Sequence, residues 1–181
     1  FNDLYKHHSF IRQEIDIAIS NVIDESSFIR GRHVTEFEER FASLIGTQHC
    51  ISCANGTDAL YITVKALGLK SDQEVIVPAH SWISTSEIVT QAGGTVVFCD
   101  TKSNGYTIDV SKIREKITDK TVGIIPVHLF GQPADMDEVV DIAREFGLWV
   151  VEDCAQAHLA TYKGKRVGTM GDAATFSFYP G

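Results

Sequence analysis

Leu148-Trp-Val-Val-Glu-Asp-Cys-Ala-Gln156 runs four apolar residues straight into two carboxylates. A strand apolar on both sides of its pleat has to be covered on both faces, as in parallel sheets wrapped by helices. Ligands of such sheets sit beyond the carboxyl ends of the strands. Asp153, directly after the apolar run, is therefore expected at that edge. Glu152 is expected to face the other way and to be structural.

Outward from this stretch the same alternation recurs. Upstream, Val75-Ile-Val77 is a short strand ended by Pro78, and a helix is predicted over Ser84–Ala92. Thr95–Cys99 reads as a strand, followed by a helix carrying Val110, Ile113 and Ile117. Val122–Ile125 is another strand, and Met136, Val139, Ala143 and Phe146 mark a helix with acidic residues in its first turn. Downstream, Ala173–Phe178 completes a set of five strands. A helix near Thr57 is expected to bury Leu60, Val64 and Leu67. Nearer the start, Ile11, Ile15, Ala18 and Val22 fall on one helical face, as do Val34, Phe37, Phe41 and Leu44, with Gly46 as a stop. The expected class is α/β, a three-layer α/β/α arrangement around a mainly parallel sheet. Residues 1–46 read as a helical lead-in and 47–181 as the domain proper.

The 181 residues are 44% hydrophobic and 22% charged, as in an ordinary globular domain. A net charge of −8 argues against nucleic acid or an anionic membrane as the main partner. No stretch is apolar for long enough to span a bilayer, and the first residues do not read as a signal peptide. The four cysteines form no disulfide framework, which points to the cytoplasm. Cys50 and Cys53 have C-x-x-C spacing but lack further ligands, and read as small hydrophobes on a strand leading to a turn. No metal site is expected.

Four loops following strands could carry chemistry. Ala54-Asn-Gly-Thr-Asp-Ala59 opens a helix: Gly56 would let the backbone approach a ligand, and Thr57 adds a hydroxyl, which suits a phosphate monoester. The same residues also serve as a plain helix cap. Asp153 can pair with a protonated pyridine nitrogen, or simply cap the following turn, and Gln156 could reach a ring oxygen. Trp82, in Pro78-Ala-His-Ser-Trp82, can stack on a flat heterocycle or fill a gap between helix and sheet. Ser177 could donate to the phosphate, or face solvent on an edge strand. His80 and His128 receive no role.

Five ordered segments together resemble one family: Asn55-Gly-Thr-Asp-Ala-Leu60, Glu74-Val-Ile-Val-Pro78, Pro126-Val-His-Leu-Phe-Gly-Gln-Pro-Ala-Asp-Met136, Val151-Glu-Asp-Cys-Ala-Gln-Ala-His158 and Phe176-Ser-Phe-Tyr-Pro-Gly181. They are similar to those of the DegT/DnrJ/EryC1/StrS sugar aminotransferases, which depend on pyridoxal phosphate (PLP) and have the type I aminotransferase fold. The resemblance implies that this chain is the N-terminal part of such a large domain. It implies that Gly56, Thr57 and Ser177 bind the cofactor phosphate and that Trp82 stacks on its ring. By the same token Asp153 pairs with the pyridinium and Gln156 contacts the ring oxygen.

In that family the Pro-Gly pair is followed by the lysine that forms the Schiff base, so a lysine is expected immediately after Gly181. A histidine there would indicate the branch that removes a sugar hydroxyl, and a non-catalytic homologue is a further alternative. The implied reaction moves an amino group from L-glutamate to a nucleotide-linked keto-deoxysugar, with a tilt toward the 3-keto isomer. The implied assembly is a homodimer with shared active sites. A nicotinamide-binding fold is disfavoured because no G-x-G-x-x-G is present.

Overall fold

The structure is a computed structural model and describes residues 3–179. It divides into two compact units, one running to Ser52 and including Tyr179, the other Cys53–Phe178.

The first unit is helical. α1 (Leu4–Phe10) begins where the Asp3 carboxylate accepts from the Lys6 N–H, and α2 (Arg12–Asp24) follows at once. The helix expected to carry Ile11, Ile15, Ala18 and Val22 is α2, with Ile11 at its N-cap. Its apolar stripe is not buried, for neither helix holds a buried residue. α3 (Arg32–Ile45) stops at Gly46, which takes φ 93°, a left-handed conformation that glycine adopts without steric cost. It buries Ala42 and Ile45, whereas Phe37 and Leu44 are exposed, so the covered face is rotated from the expected one. Glu38 accepts from both the N–H and the hydroxyl of Ser52, at 2.7 Å each. Residues 50–53 are not a strand, and Cys53 is exposed.

The second unit is the α/β body. Its strands are β1 (Glu74–Pro78), β2 (Thr95–Cys99), β3 (Thr121–Ile124), β4 (Trp149–Asp153), the short pair β5 (Thr161–Tyr162) and β6 (Lys165–Arg166), and β7 (Ala173–Thr175). Five of them form one sheet in the order β2-β1-β3-β4-β7, and every pairing is parallel. α4 (Gly56–Ala66), α5 (Ser84–Gln91) and α6 (Met136–Phe146) supply the covering layers.

The strand period of two sorts the core. Ile76, Ile124 and Val150 join Met136, Val139 and Ile142 of α6 on one face, whereas Val75, Val77, Ile125 and Val151 join Leu60, Val64, Ile88 and Val89 of α4 and α5 on the other. Each buried Ile or Val side chain contributes about 1.5–3 kcal/mol. Chemistry is therefore confined to the rim. At the middle of the sheet, Gly123 is paired with Trp149, and a Cβ on Gly123 would lie 2.2 Å from the indole. Glycine here makes room for a ring.

The helix expected through Val110, Ile113 and Ile117 is instead two three-residue 3₁₀ turns, Val110–Lys112 and Arg114–Lys116. Asp109 accepts from both the N–H and the hydroxyl of Ser111, which tightens the start. Ile117 is already extended, leading to β3 at Thr121, and Val110 and Ile113 are buried in the core. The β5–β6 hairpin turns through Lys163 and Gly164, both with positive φ, as two-residue hairpin loops require.

Candidate active site

Period two also decides which way the β4 carboxylates point. Asp153 shares its parity with Val151 and faces the α4/α5 side, and Glu152 shares that of Val150. Asp153 is buried. Its Oδ2 accepts from Thr85 Oγ1 at 2.9 Å and its Oδ1 from the Ala155 N–H at 3.2 Å. Burial pushes its carboxyl above the ordinary value, and these donors offset that only in part. A carboxylate has about four acceptor positions, so this one has capacity for another donor.

Around it the first turns of two helices present hydroxyls. Thr57 Oγ1 and Ser84 Oγ are 2.7 Å apart, and Ser81 Oγ and Thr85 Oγ1 are 3.0 Å apart. Asn55 is the cap of α4: its Oδ1 accepts the Asp58 N–H at 2.9 Å, and its amide donates to the Asp58 carboxylate at 3.0 Å. Because Asn55 does the capping, Thr57 is available for other work. A Cβ on Gly56 would stand 2.8 Å from Ser177 Cβ and 3.1 Å from its Oγ, so Ser177 is seated directly against the α4 N-terminus. β7 ends at Thr175, and Ser177 lies beyond the strand that was expected to contain it.

Gln156 Oε1 accepts the Phe130 N–H at 2.9 Å. Since an N–H must meet the carbonyl end of the amide, this contact fixes the amide's orientation and leaves Nε2 as its donor. Trp82 is 72% exposed and does not fill a gap between helix and sheet. Gly56 thus meets Ser177, while Thr57 and Asp153 are each tied to α5. Gln156 is tied to the loop after β3, and Trp82 stands on the rim at the start of α5. The Pro180-Gly181 pair and the lysine position after it lie outside the described residues.

Sequence reasoning missed Ser84 and Thr85. Their signal was the spacing of Ser81, Ser84 and Thr85, hydroxyls at i, i+3 and i+4 before an apolar helix face. It also left His128 without a role. His128 and Glu152 are fully buried, with Nε2 3.1 Å from Glu152 Oε2, and the Ala134 N–H donates to Nδ1 at 3.0 Å. That donor meets the Nδ1 lone pair, which leaves Nε2–H to face Glu152. Glu152 also accepts the N–H groups of Gly168, Met170 and Gly171 at 2.7–2.8 Å. Burial raises its carboxyl, but the donors outweigh that and hold it below the ordinary value.

Ligand atoms of His128, Glu152 and Cys154 lie within 4.8 Å of one another. The imidazole and the carboxylate are already committed to hydrogen bonds, and burial pushes the Cys154 thiol well up. The cluster is a structural knot.

Residues 9–181 match the model of the DegT/DnrJ/EryC1/StrS aminotransferase family. The chain belongs to that family. It is 45% identical over 178 residues to the dTDP-3-amino-3,6-dideoxy-alpha-D-galactopyranose transaminase of Aneurinibacillus thermoaerophilus, covering 98% of this chain and 49% of that one. The S. venezuelae enzyme DesV, solved in complex with a ketimine intermediate, superposes with a TM-score of 0.95 at 39% identity, over 98% of this chain and 48% of DesV. NtdA of Bacillus subtilis, solved with bound cofactor PMP, superposes with a TM-score of 0.87 at 33% identity, over 93% and 38% of the two chains. The chain spans about half the length of the curated relatives it matches. Its sheet and helices are the N-terminal part of the family's three-layer α/β fold. No helix of the described residues is long and apolar enough to cross a membrane.

Proposed function

We propose that the protein carrying this chain is a PLP-dependent aminotransferase that transfers an amino group from L-glutamate to a nucleotide-linked keto-deoxysugar. The observation that carries the reading is the buried Asp153 carboxylate, held by Thr85 on α5 with acceptor capacity to spare. It stands at the same strand edge as the Gly56–Ser177 contact at the start of α4. These residues fit the cofactor. Gly56, Thr57 and Ser177 would hold a phosphate at a helix N-terminus, where backbone N–H groups and the helix dipole favour anions. Asp153 would pair with a pyridine nitrogen and keep it protonated. Gln156 would donate from Nε2 to a ring oxygen, and Trp82 would lie against the ring face.

Bound there, PLP supplies an electron sink for breaking a C–H bond next to nitrogen. The chain's own part is to orient the ring, to keep a proton on its nitrogen and to restrain the amide of Gln156. The catalytic amine is expected from a lysine directly after Gly181. The 3-amino sugar named in the relative's activity supports the tilt toward a 3-keto substrate. A homodimer with shared sites and a cytoplasmic setting, in keeping with four free cysteines, complete the reading.

The test is spectroscopic. Full-length protein incubated with PLP should absorb as an imine, shift on addition of L-glutamate, and after borohydride reduction carry PLP on a lysine in its mass spectrum. Absence of a reducible adduct would sink the proposal.

A further inference from the structure

Phe130 is anomalous in three respects. Its backbone is left-handed (φ 56°, ψ 26°), a conformation that crowds any side chain with a Cβ. Among the described residues it is the one aromatic with positive φ. Its side chain packs little against the described residues, for Phe130 is 65% exposed in this chain. A strained backbone carrying a ring that the described residues leave uncovered points to a role beyond packing this part of the protein.

Its neighbours indicate what that role is. The Tyr106 ring, itself 53% exposed, meets Phe130 edge-on at 5.2 Å and 83°. His80 lies 6.1 Å from Tyr106 and 6.5 Å from Phe130. The three rings come from the loop after β1, the excursion between β2 and β3, and the loop after β3, and they stand together at the edge that carries Asp153. The Phe130 N–H is also the group that holds Gln156 Oε1. The aromatic wall is therefore joined through one hydrogen bond to the residue assigned to the cofactor's ring oxygen.

We infer that Phe130, with Tyr106 and His80, is a specificity wall that seats the apolar C–H face of the sugar ring. This rests on the function proposed above. Of the parts of a sugar nucleotide, only the sugar must come within bonding distance of the reacting centre; the base is a diphosphate away. A wall adjoining Gln156 therefore meets the pyranose. Deoxy positions give such a ring a C–H face that packs on aromatic rings, whereas a fully hydroxylated face would lose hydrogen bonds there.

The test compares full-length holoprotein with its Phe130→Gly and Tyr106→Leu variants. Glycine at 130 relieves the left-handed backbone and keeps the N–H that holds Gln156, so the change removes the ring alone. Calorimetric titration uses two deoxysugar nucleotides, dTDP-6-deoxyglucose and UDP-N-acetyl-6-deoxyglucosamine, against dTDP and UDP, with the cofactor spectrum as a check of folding. Both variants should bind the sugar nucleotide roughly three- to tenfold more weakly. Affinity for the matching nucleoside diphosphate should hold steady, and Phe130→Tyr should restore most of the loss. Equal weakening of both ligands, or of neither, overturns the inference. So does loss of self-association at unchanged sugar affinity, which would give the rings to a second copy of the chain. A wild-type holoprotein that binds neither pair of ligands defeats the proposed function itself, whatever the variants do.

Discussion

Glu152 and Asp153 are adjacent carboxylates on one strand, both buried, and the fold treats them in opposite ways. Glu152 receives four donors, from His128, Gly168, Met170 and Gly171, and its carboxyl is held below the ordinary value. Asp153 receives two, and burial leaves its carboxyl raised. The first is a closed account in hydrogen bonds that ties the turn at 168–171 and the loop after β3 to the end of the sheet. The second keeps acceptor capacity, which the proposed function assigns to the cofactor. A single pleat separates them. On that reading, what separates the structural carboxylate from the one proposed to bind a ligand is the completeness of its partners, not its depth.

The sharpest way to break the comparison is Asp153→Asn in the full-length enzyme. Its turnover should fall by roughly 10²–10⁴-fold, since the amide cannot keep a pyridine nitrogen protonated. Cofactor binding should be largely spared, and melting temperature little changed or higher. Near-normal turnover in steady-state assays would end the assigned role of Asp153. Glu152→Gln should do the reverse. Its NH₂ opposes N–H groups that now find a carboxylate, so stability should drop by about 3 kcal/mol in denaturant titrations. The cofactor's absorption maximum should persist wherever the variant is folded. A smaller effect is expected from Thr85→Val, which strips one donor from Asp153. About 1 kcal/mol of stability should be lost, and Thr85→Ser should recover it.

The smallest effect is on pH dependence, and there the signs differ. For Glu152 the folded value is lowered from 4.5, so its stabilisation is present above that value and is lost as pH falls through the folded one. For Asp153 the folded value is raised from 3.8, so its contribution is fully present below that value and is lost as pH rises through the folded one. Glu152→Gln should therefore flatten the acid limb of a stability–pH curve. Asp153→Asn should remove the opposing gain and make that limb steeper. Parallel curves for the two variants would show that the two carboxylates are equivalent after all.

Much of this contrast is legible in the sequence. The strands of the sheet were readable because each carries a short apolar run between helical segments, and period two alone separates Glu152 from Asp153. What escaped had physical reasons. Thr85 and Ser84 look like ordinary first-turn residues, and only the packing of α5 across the sheet brings them to Asp153 and Thr57. His128 acquires its meaning from Ala134 and Glu152, one near in sequence and one far. The excursion around Val110 and Ile113 carried helical spacing, but it closes as two 3₁₀ turns and the backbone is already extended at Ile117. β5 and β6 are two residues each, too short for any periodicity to register. The stripe on α1 and α2 has the pattern of a buried face without being buried in this chain.

The contact between Gly56 and Ser177 has a consequence for the order in which the protein is made. The start of α4 emerges early in synthesis, and Asp153 appears with β4, yet the proposed phosphate cup lacks one wall until β7 has been translated and laid beside β4. A nascent chain that stops short of Ser177 can fold much of its sheet and still have no complete seat for a phosphate. On the proposed assignment, cofactor capture is deferred at least until β7 docks beside β4, and cofactor occupancy would report whether that strand is in place.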